Sequence, residues 1–250
     1  MAVVLKSQQE IEKMRRAGRV VRETLELVRS LVKPGATTLD LEKAAEAKIA
    51  SMGAKPAFKG YHGFPCVLCT SVNSEVVHGI PSARRVLKEG DIVSVDCGAV
   101  IEGYFGDAAI TVPVGTKIDS RTRRLVEVTE RSLHAGIAAV RPGATLGDVG
   151  SAVQTVVEAA GFSVVRDFVG HGIGSRMHED PQVPNFGEAG RGMRLKAGMV
   201  IAIEPMVNAG EADVVVLNDG WTAVTTDGSM SAHFEHTVAV TATGSRILTE

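Results

Sequence analysis

Apolar residues recur at helical spacing near the start of the chain, at Ile11, Met14, Val20, Val21, Leu25, Leu27, Val28 and Leu31, behind a Ser7-x-x-Glu10 capping box. Pro34-Gly35 ends that helix, and Thr37-x-x-Asp40 opens a second one running to about Met52-Gly53. Residues 59–84 are rich in Gly, Pro, Ser and His and read as loop with short strands. From Leu87 to Val114 the period falls to two, which predicts a strand hairpin. A third helix follows over about 121–140, with Leu125, Val128, Leu133, Ile137 and Val140 as its apolar stripe. A fourth covers about 146–160, and beyond Phe162 the pattern is strands and loops. Mixed helices and antiparallel strands make this an α+β chain.

The hairpin carries the first chemistry. With a turn centred on Glu102-Gly103, Asp96 falls opposite Ala109 and Asp107 opposite Gly98. Both carboxylates then share one face as diagonal neighbours, roughly 7–8 Å apart at Cα. Ser94, Gly98, Ala108 and Ala109 are small and leave space between them. Converging carboxylates repel unless a proton or a cation lies between them.

A repeat gives the hairpin a counterpart. Val32-Lys-Pro-Gly-Ala-Thr37 recurs as Val140-Arg-Pro-Gly-Ala-Thr145, an offset of 108, and the same offset carries Asp40 to Asp148 and Gly53 to Gly161. It also carries Leu87-Lys-Glu-Gly90 to Leu195-Lys-Ala-Gly198, and hence Asp96 to Glu204. The expectation is one unit over 1–250 made of two helix–helix–hairpin halves, at about 10–115 and 120–250, facing each other about a pseudo-twofold axis. Asp107 needs a partner as well. Glu235, opening the Glu235–Val240 strand, supplies it if the second half holds about 20 extra residues, found at 208–227 with turn signals at Asn218-Asp219-Gly220 and Asp227-Gly228.

Four ionised acids in one cleft are strongly destabilised without compensation, and two divalent cations balance them in formal charge. Oxygen-rich ligation favours Mn, Fe(II) or Co over a thiolate zinc site and accommodates one imidazole. The competing reading, ordinary solvated acids at strand ends, suits any one of the four better than all four together. His62, His78, His171, His178, His233 and His236 fall in loops and strands, whereas His134 lies on the exposed side of the third helix. The run 170–179 reads as a glycine-rich turn presenting His171 and His178; no Lys-Ser/Thr follows the glycines, which excludes a phosphate loop.

Charge and composition narrow the class further. A formal charge of −2 with mixed signs offers nothing to nucleic acid or an anionic membrane surface. No apolar run is long enough to span a bilayer, and the N-terminus lacks a signal-peptide pattern. Cys66, Cys69 and Cys97 are too few and odd in number for a secreted disulfide framework, so the reading is reduced thiols in the cytoplasm. Cys66-x-x-Cys69 lacks the second pair of a zinc site.

Val77-His-Gly-Ile-Pro81, the Asp96/Asp107 hairpin, Gly170-His-Gly-Ile-Gly174 with His178, Ile203-Glu-Pro205 and Phe234-Glu-His-Thr237 together resemble the type I, bacterial-type methionine aminopeptidases of the pita-bread fold. The resemblance covers nearly the whole chain. It implies that Asp96, Asp107, His171, Glu204 and Glu235 bind a pair of divalent metals, with Glu204 also general base on a bridging water. It implies that His78 and His178 contact substrate and stabilise the tetrahedral intermediate. Tyr61, Phe64, Cys69 and Trp221 would line a methionine pocket, and the residue after the cleaved Met would be small. Met177 departs from the aromatic often found there in the family. Only 26 residues separate His178 from Glu204, leaving no space for the insertion of type II enzymes. The implied substrates are N-termini of nascent polypeptides, met near the ribosome, and the implied state is a monomer. Rival readings are a pita-bread hydrolase of X-Pro bonds or of a small amidine, and a non-catalytic relative used as a binding module.

Overall fold

The computed structural model describes residues 3–250. Helix α1 (Gln8–Leu31) starts where Ser7 and Glu10 cap each other's backbone, with Glu10 Oε2 2.7 Å from the Ser7 N–H. Helices α2 (Thr38–Ser51) and α4 (Leu146–Ala159) begin with the same reciprocal box at Thr37/Asp40 and Thr145/Asp148. Helix α3 (Ser120–Ala139) starts a residue earlier than the apolar stripe suggests, because Asp119 accepts from the N–H groups of Arg121 and Thr122.

The strands, in chain order, are β1 (Lys55–Pro56), β2 (Leu68–Val72), β3 (Glu75–Val77), β4 (Ile92–Ile101) and β5 (Tyr104–Pro113) before α3. After α4 come β6 (Ser163–Val164), β7 (Gly170–Gly172), β8 (Glu179–Val183), β9 (Val200–Ile203) and β10 (Met206–Asn208). The chain ends with β11 (Val214–Val216), β12 (Ala223–Thr225), β13 (Ser231–His233), β14 (Glu235–Val240) and β15 (Ser245–Ile247). The main sheet has the antiparallel order β1-β4-β5-β14-β9-β7-β8, with β2 added on β4 and β15 on β14.

Period-two alternation divides the faces of this sheet. Val93, Val95 and Cys97 pack under Val21, Leu25, Leu41 and Ile49 of α1 and α2, while Ile201, Ile203 and Val238 pack under Leu125, Leu133, Val149 and Val153 of α3 and α4. Asp96, Asp107, Glu204 and Glu235 therefore emerge on the face away from the helices. The hairpin register is as expected, with Asp96 opposite Ala109 and Gly98 opposite Asp107. Its turn needs two residues at positive φ, and Glu102 (50°) and Gly103 (78°) supply them.

The repeat is visible in the pairings. Thr37 bridges Val86 and Thr145 bridges Arg194, both partners moved by 108. Gly35 donates to Leu87 O and Gly143 to Leu195 O, each at 2.9 Å. Lys55 opposite Val100 recurs as Ser163 opposite Asn208.

One expected equivalence is shifted. His233 lies opposite Met206 and His236 opposite Ile203, so Glu235 faces Glu204 across its hairpin as Ala109 faces Asp96. By pairing, Asp107 corresponds to His233, and Glu235 to Ala109. The offset is thus 126 beyond β13, an insertion of 18 residues over the 108 that holds up to β10. A slip of two residues keeps every side chain on its face, so the acids converge even though Asp107 and Glu235 are not symmetry mates. The inserted residues form the β11–β12 hairpin, which pairs with β3.

Candidate active site

The four carboxylates come from β4, β5, the break between β9 and β10, and the start of β14. Pro205 has no backbone N–H, so the strand cannot run through Glu204 as β4 runs through Asp96. Asn185 Nδ2 instead donates to Glu204 O at 3.0 Å and fixes that backbone. Glu235 and Asp107 are 2 % and 3 % exposed. Thr237 clasps Asp107 from the neighbouring strand, accepting from its N–H at 3.0 Å and donating to its carbonyl at 2.8 Å.

His171 stands on β7, so the start of the run read as a glycine-rich turn is a strand. Its glycines serve close approach: a Cβ on Gly170 would lie 2.3 Å from Ala202 O, and one on Gly172 2.2 Å from Asp180 O. The His171 Nδ1–H donates to Gly172 O at 2.9 Å, which leaves the Nε2 lone pair facing Glu204 Oε1 at 3.5 Å and Asp107 Oδ2 at 3.9 Å. Burial, with His178 nearby, lowers its imidazole to about 3, so the ring is neutral at physiological pH.

Burial raises the Asp96 carboxyl to about 7 and drives Asp107, Glu204 and Glu235 well above the usual carboxylate range, with the neighbouring carboxylates adding to each of the latter three. Asp96 Oδ1, Asp107 Oδ1 and Glu235 Oε1 are buried without a hydrogen-bond partner among the described residues. Ligand atoms of Asp107, His171 and Glu235 lie within 4.8 Å of one another. Unsatisfied carboxylate oxygens around a neutral imidazole fit a divalent cation, which would supply the missing partners.

Beside the acids lies a cavity of about 190 Å³. It brings together every residue singled out in the sequence: Asp96, Asp107, His171, Glu204 and Glu235 with His78, His178, Tyr61, Phe64, Cys69 and Trp221. Phe64 and Trp221 meet edge to face at 5.1 Å. Met177 is 2 % exposed and packs with Phe58, Phe64 and Cys69, so it forms part of the apolar wall. His178 Nδ1 sits 2.8 Å from Tyr61 OH, and its ring stands edge-on to His171 at 4.3 Å. The loop bearing His178 is tied down at its base by a buried ion pair, Lys6 Nζ to Glu179 Oε2 at 2.6 Å. His78 has φ of 61°, uncommon for a non-glycine residue, and its ring abuts Phe168. Phe58 and His62 also line the cavity, beyond the residues the sequence points to. Phe58 could have been found as the last apolar residue before the polar loop; nothing in the sequence singles out His62 over the other loop histidines. Cys66, Cys69 and Cys97 are free thiols. A larger hollow of about 310 Å³ on the helix side, lined by Arg22, Glu26, Glu130 and His134, has no converging buried carboxylates.

Antiparallel halves meeting at a buried acidic centre beside an apolar pocket define a metallohydrolase-like site. The model of metallopeptidase family M24 matches residues 12–242. The chain is 52% identical over 247 residues to methionine aminopeptidase 1 of Bacillus subtilis, covering 99% of both chains. It is 51% identical to the crystal structure of methionine aminopeptidase from Thermotoga maritima, with a TM-score of 0.98 and full coverage of both. A prolidase from Pyrococcus horikoshii shares the fold at 23% identity and a TM-score of 0.80, the chain covering 63% of it. The protein belongs to metallopeptidase family M24, with its pita-bread fold.

Proposed function

We propose that this chain removes the initiator methionine from nascent proteins and peptides whose second residue is small, as a metal-dependent aminopeptidase acting through one catalytic unit over 1–250. The observation that carries the reading is the set of partnerless buried carboxylate oxygens around neutral His171, opening directly onto a small apolar pocket. Similarity at about 50% identity to proteins named methionine aminopeptidase supports it.

Asp96, Asp107, His171, Glu204 and Glu235 would hold two divalent cations, with Mn, Fe(II) and Co matching the oxygen-rich donors. Cations bound there would supply Lewis-acid polarisation of the scissile carbonyl and a lowered pKa for water near neutral pH. Glu204 takes the proton of the attacking water on its carboxylate and returns it to the leaving amine. With Tyr61 OH as donor to His178 Nδ1, 2.8 Å away, the ring proton would lie on Nε2, available to the developing oxyanion. Burial, with His178 close by, holds His78 neutral as a second polar contact to substrate. Tyr61, Phe64, Cys69, Met177 and Trp221 enclose the methionine side chain, whose sulfur makes favourable contacts with ring edges. The reading extends to a reducing, cytoplasmic setting, with which the free thiols are consistent, and to action as a monomer on chains leaving the ribosome.

The test compares turnover of Met-Ala-Ser with an Ala-Pro peptide by protein reloaded with Mn, Fe(II), Co or Zn. Metal-dependent release of methionine from the first peptide alone is expected. Preferential cleavage of the Ala-Pro bond would move the protein to the prolidase branch of the family.

A further inference from the structure

His233 is 2 % exposed, and its Nε2 is buried with no hydrogen-bond partner among the described residues. It is the pairing counterpart of Asp107: Asp107 faces Gly98, and His233 faces Met206, 108 residues further on. The backbone clasp is also repeated. Thr111 accepts from the His233 N–H at 2.9 Å and donates to its carbonyl at 2.7 Å, as Thr237 does with Asp107. Two residues before Glu235, the His233 side chain shares the face of the acids, with Nε2 4.0 Å from Glu235 Oε2. Ligand atoms of Glu204, His233 and Glu235 lie within 4.8 Å of one another, as do those of Asp107, His171 and Glu235.

Each triplet has one imidazole, and the two share Glu235. A buried nitrogen left unpaired is costly unless something completes it. Glu204 and Glu235 place carboxylate oxygens within reach of it, and the His78 imidazole lies close enough to act on it electrostatically. We propose that His233 is a further metal ligand, its Nε2 donating to the cation held by Glu204 and Glu235. This rests on the metal-dependent reading above. A second nitrogen donor shifts selectivity from Mn toward later first-row ions such as Co, Ni and Zn.

Metal-stripped protein is reloaded with Co(II), and X-ray absorption counts imidazoles per chain, alongside calorimetric Kd values for Co and Mn. Wild type is expected to show two imidazoles and His233→Gln one, with Co bound about 10–100-fold more weakly in the variant and Mn less affected. His171→Ala should likewise keep one. A single imidazole in wild type, needing no variant to fold, overturns the proposal, as does unchanged Co affinity in folded His233→Gln. Wild-type protein that takes up no divalent cation would overturn the metal reading itself; uptake with one imidazole overturns only the role of His233.

Discussion

The two halves share a register but not a continuity. In the first, β4 and β5 run unbroken for 10 residues each and are joined by the Glu102-Gly103 turn. In the second, the same path is cut at Glu204-Pro205 and at Phe234, and the turn is replaced by the β11–β12 hairpin. The intact half holds Asp96 and Asp107 rigidly in a ladder. The broken half frees Glu204 from ladder geometry, while Glu235 opens β14 and pairs across the axis with its own symmetry mate, Ala109, whose small side chain leaves room there. Symmetry thus builds the scaffold, and departures from it shape the site. The insertion extends the same division of labour, since its turn brings Trp221 to the cavity wall.

Metal removal should expose the strain shared between the halves most strongly. The Asp96 carboxyl rises from 3.8 to about 7 on folding. Between those values the metal-free folded protein binds more protons than the unfolded chain, so its stability is greatest below about pH 4 for this group and is lost as pH rises through about 7. Asp107, Glu204 and Glu235 shift in the same direction. Chelated protein should lose roughly 5–10 °C in Tm between pH 5 and 8, and Mn(II) should restore it. Parallel melting curves with and without metal would show that the four acids are not a shared cation site.

The paired threonines sharpen the contrast on a smaller scale. Thr237→Val and Thr111→Val each strip two hydrogen bonds from a buried backbone, on Asp107 and His233 respectively, and each should cost about 1–3 kcal/mol in denaturant unfolding. Metal affinity should separate them: about tenfold weaker in Thr237→Val and less affected in Thr111→Val, because Asp107 lies in the ladder of the intact half and supplies an anionic donor. Equal losses of affinity would mean that both halves hold metal in the same way.

The sequence shows the first hairpin more clearly than the second because its register follows locally from a tight turn. The four helices are legible through their caps and apolar stripes. The match of Asp107 to Glu235 comes out two residues off, since pairing across a strand broken at Phe234 leaves no periodic signal. The strand character of Gly170–Gly172 is hidden for a different reason: its glycines answer to carbonyls of β8 and β9, close approaches that leave no local period. The clasps of Thr111 and Thr237, and the place of His233, appear only once the sheet closes about its axis. The convergence of the acids survives these errors because a shift of two preserves the face.

The most direct measurement is the rate of methionine release from Met-Ala-Ser by Glu204→Gln, with bound metal quantified in the same samples. Glutamine keeps an oxygen donor but cannot accept the proton. With at least one cation still bound, kcat should fall by about 10²–10⁴. A metal-loaded Glu204→Gln protein turning over within threefold of wild type would contradict the assignment of proton transfer to the broken half.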